Sequence, residues 1–337
     1  MLVSGAHGFI GSHLCERLLA SGHEVRALVS PWGRAENLAA ASRHPLLELV
    51  RADVALPGAV EGVCRGIEAV IHAAARLSDW GPAEPIMRTN VDGTRHLLEA
   101  AARSGARRFV LVSSVAVHTY SGFRDADTEA TARDNLRLPY ARSKIAAEDL
   151  VFAWAGEGVV VRPGLWPFGA RDRQLRRVAR ALRQRRLPLL DDGSRVLNTA
   201  YVENLVQGLE LASTKEGVRG RAFVIADGGA PTWREVLTHL ATLIGAPPPV
   251  VGLSSRLATP AATAVEALWA VVAPGREPPL TGYRARLMRR DVHFSLLPAR
   301  RDLGYEPKVS WREGLAASVD GDPVLRKIRD RPERRER

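Results

Sequence analysis

The chain has 337 residues, 46% apolar and 25% charged, a balance that specifies a folded globular protein and excludes an extended disordered tract. Its two cysteines, Cys15 and Cys64, fall in no CxxC or Cys/His spacing, so neither a disulfide framework nor a metal site is expected, and the setting reads as reducing and cytoplasmic. The net charge of +11 is confined to two segments, eight arginines against one aspartate over 171–186 and seven lysines or arginines against three acids over 326–337; no nucleic-acid motif accompanies it, so no nucleic-acid partner is expected.

Residues 1–4 form a short apolar run that reads as a strand. Only Met1–Ser4 precede the first glycine, so one or two residues of that strand are expected to be missing from this start, and no signal peptide is read there. Gly5-Ala6-His7-Gly8-Phe9-Ile10-Gly11 follows and opens a helix over 11–21. A glycine turn between strand and helix lets the backbone approach a pyrophosphate, with the helix N–H groups facing the charge. Gly5 permits the tight turn, Gly8 the close approach and Gly11 the packing of helix on strand; Phe9 and Ile10 belong to the same cradle. Residues 24–29 alternate like a strand and end at Ser30-Pro31-Trp32-Gly33-Arg34. No acid stands there to bond a ribose 2′-hydroxyl, and Arg34 can reach a 2′-phosphate, so Ser30 and Arg34 favour NADP over NAD.

Leu46–Val50 and Ala69–His72 are further apolar runs. Asp53, beside Val54, is placed to accept from an adenine amino group, and Ala73, Ala74 and Ala75 are small where the backbone must pass under the adenosine. Thr89–Ser104 has helical spacing, with Asn90-Val91-Asp92-Gly93-Thr94 opening the helix. Arg108–Ser113 reads as a strand, and Ser114 lies just outside its carboxyl end, where ligands bind in open α/β sheets. Tyr140 and Lys144 share a helix face at i and i+4. A phenol ordinarily titrates near ~10. An ammonium one turn away is expected to lower that value and make Tyr140 a usable acid or base, with Ser114 holding the substrate oxygen beside it. Val159–Val161 is one more strand, followed by Arg162-Pro163-Gly164.

Strands separated by helical patterns imply right-handed βαβ units and an α/β fold. The expected architecture is a doubly wound Rossmann parallel sheet with a smaller, mostly helical C-terminal substrate lobe. The cofactor domain is read over 1–162, with strand 222–226 returning to it; the interleaved lobe over 163–320; and a basic, flexible tail over 321–337. The apolar stretch Leu257–Pro274 is broken by Pro260 and Glu266 and is too short to span a membrane. It reads as a lobe helix, as a lid over an apolar substrate, or as a surface in peripheral membrane contact. Leu175, Val178 and Leu182 give the arginine-rich segment one apolar stripe, so it reads as a surface helix with a solvated basic face, or else as a patch that attracts an anionic substrate or an acidic lipid surface.

Gly5, Gly8, Gly11, Ser114, Tyr140, Lys144 and Arg162-Pro163-Gly164 together resemble the extended short-chain dehydrogenase/reductase superfamily, from residue 1 to about 320. The resemblance implies catalytic roles for Ser114, Tyr140 and Lys144, cofactor contacts from Tyr140, Lys144 and Asn90, and Pro163 and Gly164 beside the nicotinamide. Tyr201-Val202-Glu203-Asn204 is similar to the junction that supports the substrate lobe in that superfamily. The loop Ala75–Pro82 and the ending Pro279-Leu280-Thr281, Phe294-Ser295, Ala299–Tyr305 and Pro307 resemble the 3β-hydroxysteroid dehydrogenase-like branch. That branch implies a small hydrophobic substrate, with Trp80, Val115 and Trp166 lining its site, and many relatives are homodimers.

Function is therefore expected to be NAD(P)-dependent interconversion of a 3-hydroxy and a 3-oxo group on a bulky apolar substrate, steroid-like or a 2-alkyl-3-oxo acid. The alternative is a nucleotide-sugar epimerase with tightly held NAD. A dehydratase is disfavoured because Val115-Ala116-Val117-His118, not an acidic pair, follows Ser114. A non-catalytic dinucleotide sensor is disfavoured because Tyr140 and Lys144 are both present.

Overall fold

The computed structural model describes residues 1–78, 80–119, 121–273 and 281–330. Its first half alternates strand and helix: β1 (Leu2–Ser4), α1 (Phe9–Ala20), β2 (Val25–Val29), β3 (Leu47–Arg51), β4 (Ala69–His72), α2 (Ala83–Met87), α3 (Gly93–Arg103), β5 (Arg108–Val112), β6 (Phe123–Ala126), α4 (Pro139–Ala153) and β7 (Glu157–Pro163). The second half adds β8 (Trp166–Phe168), α5 (Arg173–Arg183), β9 (Pro188–Leu190), β10 (Thr199–Tyr201), α6 (Val202–Thr214), β11 (Ala222–Ile225), α7 (Trp233–Leu243), β12 (Val250–Leu253), α8 (Ser255–Val272), α9 (Gly282–Leu287), β13 (Val292–Phe294), α10 (Trp311–Gly321) and α11 (Pro323–Arg329).

Seven of the strands form one parallel sheet in the order β11-β7-β5-β4-β1-β2-β3. The order reverses at β1, so the crevice beyond the carboxyl ends of β1 and β4 is the ligand position of such a sheet. Helices cover both faces. One apolar core packs α1 and α6 on one side (Leu14, Leu18, Val206, Leu209), and the other packs α3 and α4 on the opposite side (Leu97, Leu98, Ala147, Val151). Residues 24–29 were expected to alternate, but Val25, Ala27, Leu28 and Val29 are all buried. A central strand covered on both faces has no solvent side to alternate with.

The helix expected over 89–104 begins earlier. α2 runs without a break through a π-turn, Arg88–Asp92, into α3, so Asn90 lies inside a continuous helical run and does not open one. The extra residue of the π-turn cannot be read from apolar spacing, and such turns concentrate at functional sites.

A separate apolar core joins β8, α5, α7 and α10 through Trp166, Phe168, Leu175, Leu182, Trp233, Leu240, Trp311 and Leu315. This half is not purely helical: β8 pairs with β10, β9 with β12, and β6 with β13, each in parallel. The pairs are too short and too distant in sequence to leave a periodic signal. Leu175 and Leu182 are buried on α5 and Val178 packs beside them, the stripe its spacing predicts. No described helix is long and apolar enough to cross a membrane. The segment expected as a flexible tail over 321–337 is helical through α11, with Leu325 buried in the second core; Asp79 of the 75–82 loop, Pro274, Pro279-Leu280 and the residues beyond Asp330 lie outside the described residues.

Candidate active site

The glycine turn is shaped by contacts that exclude side chains. Gly5 has φ +68°, and a Cβ there would lie 2.7 Å from the Ala74 backbone. A Cβ on Gly11 would collide with the Gly5 carbonyl, and one on Gly8 would crowd the same oxygen at 3.1 Å. The turn closes through Gly8 N–H to Gly5 O at 2.9 Å. Gly8 is the N-cap of α1, and the first turn, Phe9-Ile10-Gly11, carries neither a capping side chain nor an acid. A backbone cradle at an uncapped helix N-terminus suits an anionic pyrophosphate, so these residues fit a dinucleotide.

A buried chain of polar groups holds the cradle. Ser4 Oγ lies 2.6 Å from His72 Nδ1 and accepts from Ala74 N–H at 3.2 Å; His72 Nε2 lies 3.1 Å from Thr94 Oγ1, which donates to the Asn90 carbonyl at 2.6 Å. Burial, with the Lys144 ammonium second, holds His72 down to about 3, so it is neutral. Asn90 spends its amide within the protein: Oδ1 accepts from Arg76 N–H at 2.7 Å, and Nδ2 donates to Arg76 O and to Ser143 Oγ. Asn90 thus fixes the segment after β4 through its backbone. Ala73 and Ala74 are partly buried and Ala75 is exposed, in the strip that Asn90 holds.

Tyr140, Lys144 and Ser114 come together at the carboxyl end of β5. Ser114 caps the turn that follows the strand; its Oγ accepts from Ala116 N–H at 3.1 Å, and its hydroxyl stands beside the Tyr140 phenol. Tyr140 sits in the first turn of α4, started by Pro139. Lys144 Nζ, fully buried, donates to Val112 O at 2.8 Å. Burial lowers its ammonium to about 8, opposed by the Glu148 carboxylate. The electrostatics correct the sequence reading in one respect. Burial and then the neighbouring Tyr283 phenol raise Tyr140, and the Ser114 hydroxyl, not Lys144, is what lowers it. Desolvation of a phenolate outweighs the favourable contacts at a wholly buried site, so Tyr140 is a neutral acid at pH 7.

Behind this group lies a network with no counterpart in the sequence reading. Glu148, the next turn after Lys144, accepts from Ser113 Oγ at 2.5 Å and from Arg162 Nε and Nη2. Arg162 also donates to Thr128, and His118 Nε2 lies 3.0 Å from Thr128 Oγ1. The signal available in sequence was the spacing Tyr140, Lys144, Glu148, one stripe of α4.

The remaining expected residues are dispersed. Val115 is buried in a small cluster with Val224, Val292 and Phe294. Trp166 stacks on Trp233 in the second core, centroids 5.8 Å apart, and both buried indole N–H groups lack a partner. The Trp80 indole N–H is likewise buried and unpartnered. Pro163 ends β7, and Gly164, whose Cβ would meet Ala226 and Asn198 at 3.0 Å, follows it. Asp53 caps Ala55 N–H at 3.0 Å, and the Val54 carbonyl meets His96 Nδ1 at 2.9 Å. Ser30 is partly buried at the end of β2; Arg34 is 86% exposed and pairs with Glu36 at 3.8 Å. From the second half of the chain, α9 brings Tyr283 against Tyr140, and α8 packs on α9 with Leu257, Leu268, Val271 and Val272 exposed.

The family model for the NAD dependent epimerase/dehydratase family matches residues 1–226. A 2-alkyl-3-oxoalkanoate reductase of Stenotrophomonas maltophilia is 33% identical, the match covering 94% of this chain and 97% of that protein. A 3 beta-hydroxysteroid dehydrogenase/Delta 5-->4-isomerase of Mycobacterium tuberculosis is 31% identical, over 94% of this chain and 88% of that one. Among solved structures, MoeE5 in complex with UDP-glucuronic acid and NAD is 25% identical, with a TM-score of 0.71 over 97% of this chain and 98% of that chain.

Proposed function

This chain belongs to the NAD dependent epimerase/dehydratase family, and on that premise we propose that it is an NAD(P)-dependent oxidoreductase acting on the 3-hydroxy or 3-oxo group of a bulky hydrophobic substrate. The observation that carries the reading is the juxtaposition of Ser114 and the Tyr140 phenol at the carboxyl end of β5, with Lys144 one helical turn away. The bound nicotinamide supplies or accepts the hydride. Tyr140, neutral and buried, holds the proton that the substrate oxygen gains on reduction. Ser114, whose hydroxyl stands beside the phenol, positions that oxygen. Lys144, its Nζ anchored on the Val112 carbonyl, would bind the nicotinamide ribose. Gly5, Gly8 and Gly11, with Phe9 and Ile10, hold the pyrophosphate. The lack of an acid at Ser30 supports NADP over NAD.

Two features support an apolar substrate. The relatives named above include reductases and dehydrogenases of 2-alkyl-3-oxoalkanoates and 3β-hydroxysteroids. The exposed apolar face of α8 adjoins α9, the helix that reaches Tyr140, which suits a lid over a greasy ligand. The test is oxidation of NADH and NADPH with 3-oxo steroids and 2-alkyl-3-oxo acids, run beside epimerisation of UDP-sugars followed by product analysis. Turnover confined to the first two classes is the expected result; turnover confined to UDP-sugars contradicts it.

The second reading is a nucleotide-sugar epimerase, favoured by the likeness to a structure that holds a UDP-sugar and NAD. An epimerase returns the hydride to the same molecule, so its cofactor stays bound through the cycle. Purified protein carrying non-exchanging NAD supports that reading, and exchangeable cofactor supports the reductase.

A further inference from the structure

We propose that the outward face of α8 docks on an anionic lipid surface, with the arginines around it setting the charge preference. Leu257, Ala261, Val265, Leu268 and Val272 are exposed and recur at i, i+4, i+8, i+11 and i+15, one stripe along the whole helix, with Val271 beside it. Val271 is 80% exposed, Leu257 71% and Leu268 61%. Five of the eleven large apolar side chains exposed among the described residues stand on this one helix. They form a patch, not the single scattered residues of an ordinary surface.

The carboxylate of α8 faces the protein instead. Ala258 and Ala262 are buried in a cluster with Leu190 and Ala285. A Cβ on Gly282, the first residue of α9, would lie 2.8 Å from Thr263 Oγ1 and 3.0 Å from Glu266 Oε2. Glu266 is the only acid within Ser255–Val272, so none is left on the outward side. A helix on a protein surface ordinarily turns its apolar stripe to the core and its charges to water. α8 does the reverse, which suits a helix lying in a bilayer interface with its apolar face toward the acyl chains.

The charge around the stripe selects the occupant. Arg256, which heads the helix, is exposed, and so are Arg286 on α9 and Arg290 just beyond it. Arginines flanking an apolar stripe whose carboxylate is turned inward complement anionic headgroups. A second copy of the chain would cover the stripe but bring the same arginines toward one another. α9 packs along α8 and brings Tyr283 against Tyr140. Docking therefore holds the reacting group a helix layer away from the lipid, where an apolar substrate partitions. That consequence rests on the proposed reaction; the docking does not.

The full-length protein should be floated at low salt with vesicles of phosphatidylcholine alone and of phosphatidylcholine with about 30% phosphatidylglycerol. Binding to the anionic vesicles should be at least about tenfold stronger than to the neutral ones, and high salt should reverse most of that difference. Leu268→Glu and, separately, Val271→Glu should each weaken binding by about tenfold or more. Both positions face solvent, so the melting temperature should be unchanged, which shows that the variants fold. No binding of the wild type to either vesicle overturns the proposal. So does binding that both variants retain, and so does equal binding to the two vesicle types. A wild-type dimer in lipid-free solution that both variants dissolve assigns the stripe to a second copy and overturns the proposal as well. None of these outcomes alters the reductase reading, which the substrate panel tests separately.

Discussion

Arg162 grips both oxygens of Glu148, Nε 2.9 Å from Oε1 and Nη2 2.7 Å from Oε2, with both side chains almost wholly removed from solvent. The pair ties the end of β7 to α4, directly beneath Lys144 and beside Ser113. Removing one partner strands a buried charge, which typically costs about 3–5 kcal/mol. Arg162→Met is expected to lose stability of that order in urea unfolding, and Arg162→Met with Glu148→Leu to recover part of it. A single-variant loss below about 1 kcal/mol would show that the pair is not buried as described.

Lys144 gives the pH dependence. Its folded value, about 8, lies below the ordinary 10.5 because of burial. Activity that needs the ammonium should fall as pH rises through about 8. Glu148 raises the lysine, so Glu148→Gln should move that fall to lower pH. For stability the sign is opposite to that of a salt-bridged lysine. Between the folded and unfolded values the unfolded chain binds more protons, so stability rises with pH across the window from about 8 to 10.5. Below it, burial of the charge costs up to about 3 kcal/mol. Lys144→Met should therefore be no less stable than wild type at pH 7, with that advantage shrinking from pH 8 to 10 while turnover is lost. A Lys144→Met variant much less stable at pH 7 contradicts the assignment.

Ser114 caps the turn at Ala116 and sets its hydroxyl beside the Tyr140 phenol. Ser114→Ala should reduce kcat by roughly 10- to 100-fold with a loss of stability near 1 kcal/mol, the scale of one cap. Ser114→Thr keeps the oxygen and should restore most of both. Equal kcat for Ser114→Ala and wild type would remove Ser114 from the reacting group.

Gly11 tests the cradle independently of the chemistry. Its Cβ would strike the Gly5 carbonyl, so the turn must open to admit it. Gly11→Ala should abolish measurable NADPH binding, read by quenching of protein fluorescence. Gly22→Ala, with φ +81° and nothing within 4 Å of the new Cβ, should cost only modest stability. Unaltered binding by Gly11→Ala would contradict the placement of the pyrophosphate.

Much of this was written in the sequence because it is local. The glycine turn, the apolar runs that became β1 to β5 and β7, and the i, i+4 relation of Tyr140 and Lys144 each depend on neighbours within a few residues. Three things were not legible. The π-turn at Arg88–Asp92 adds a residue without disturbing the composition around it. The Ser113–Glu148–Arg162 network needs three elements packed together before its charges meet. The direction of the Tyr140 shift depends on how completely the phenol is desolvated, which spacing does not encode.

The most direct test of the account is substrate-dependent NADPH oxidation by Tyr140→Phe, followed at the nicotinamide absorbance with a 2-alkyl-3-oxo acid or a 3-oxo steroid that the wild type reduces. Loss of the proton donor should cut kcat by about 10²- to 10⁴-fold with NADPH affinity nearly unchanged. A kcat for Tyr140→Phe within a few-fold of wild type would contradict the assignment of the proton to that phenol.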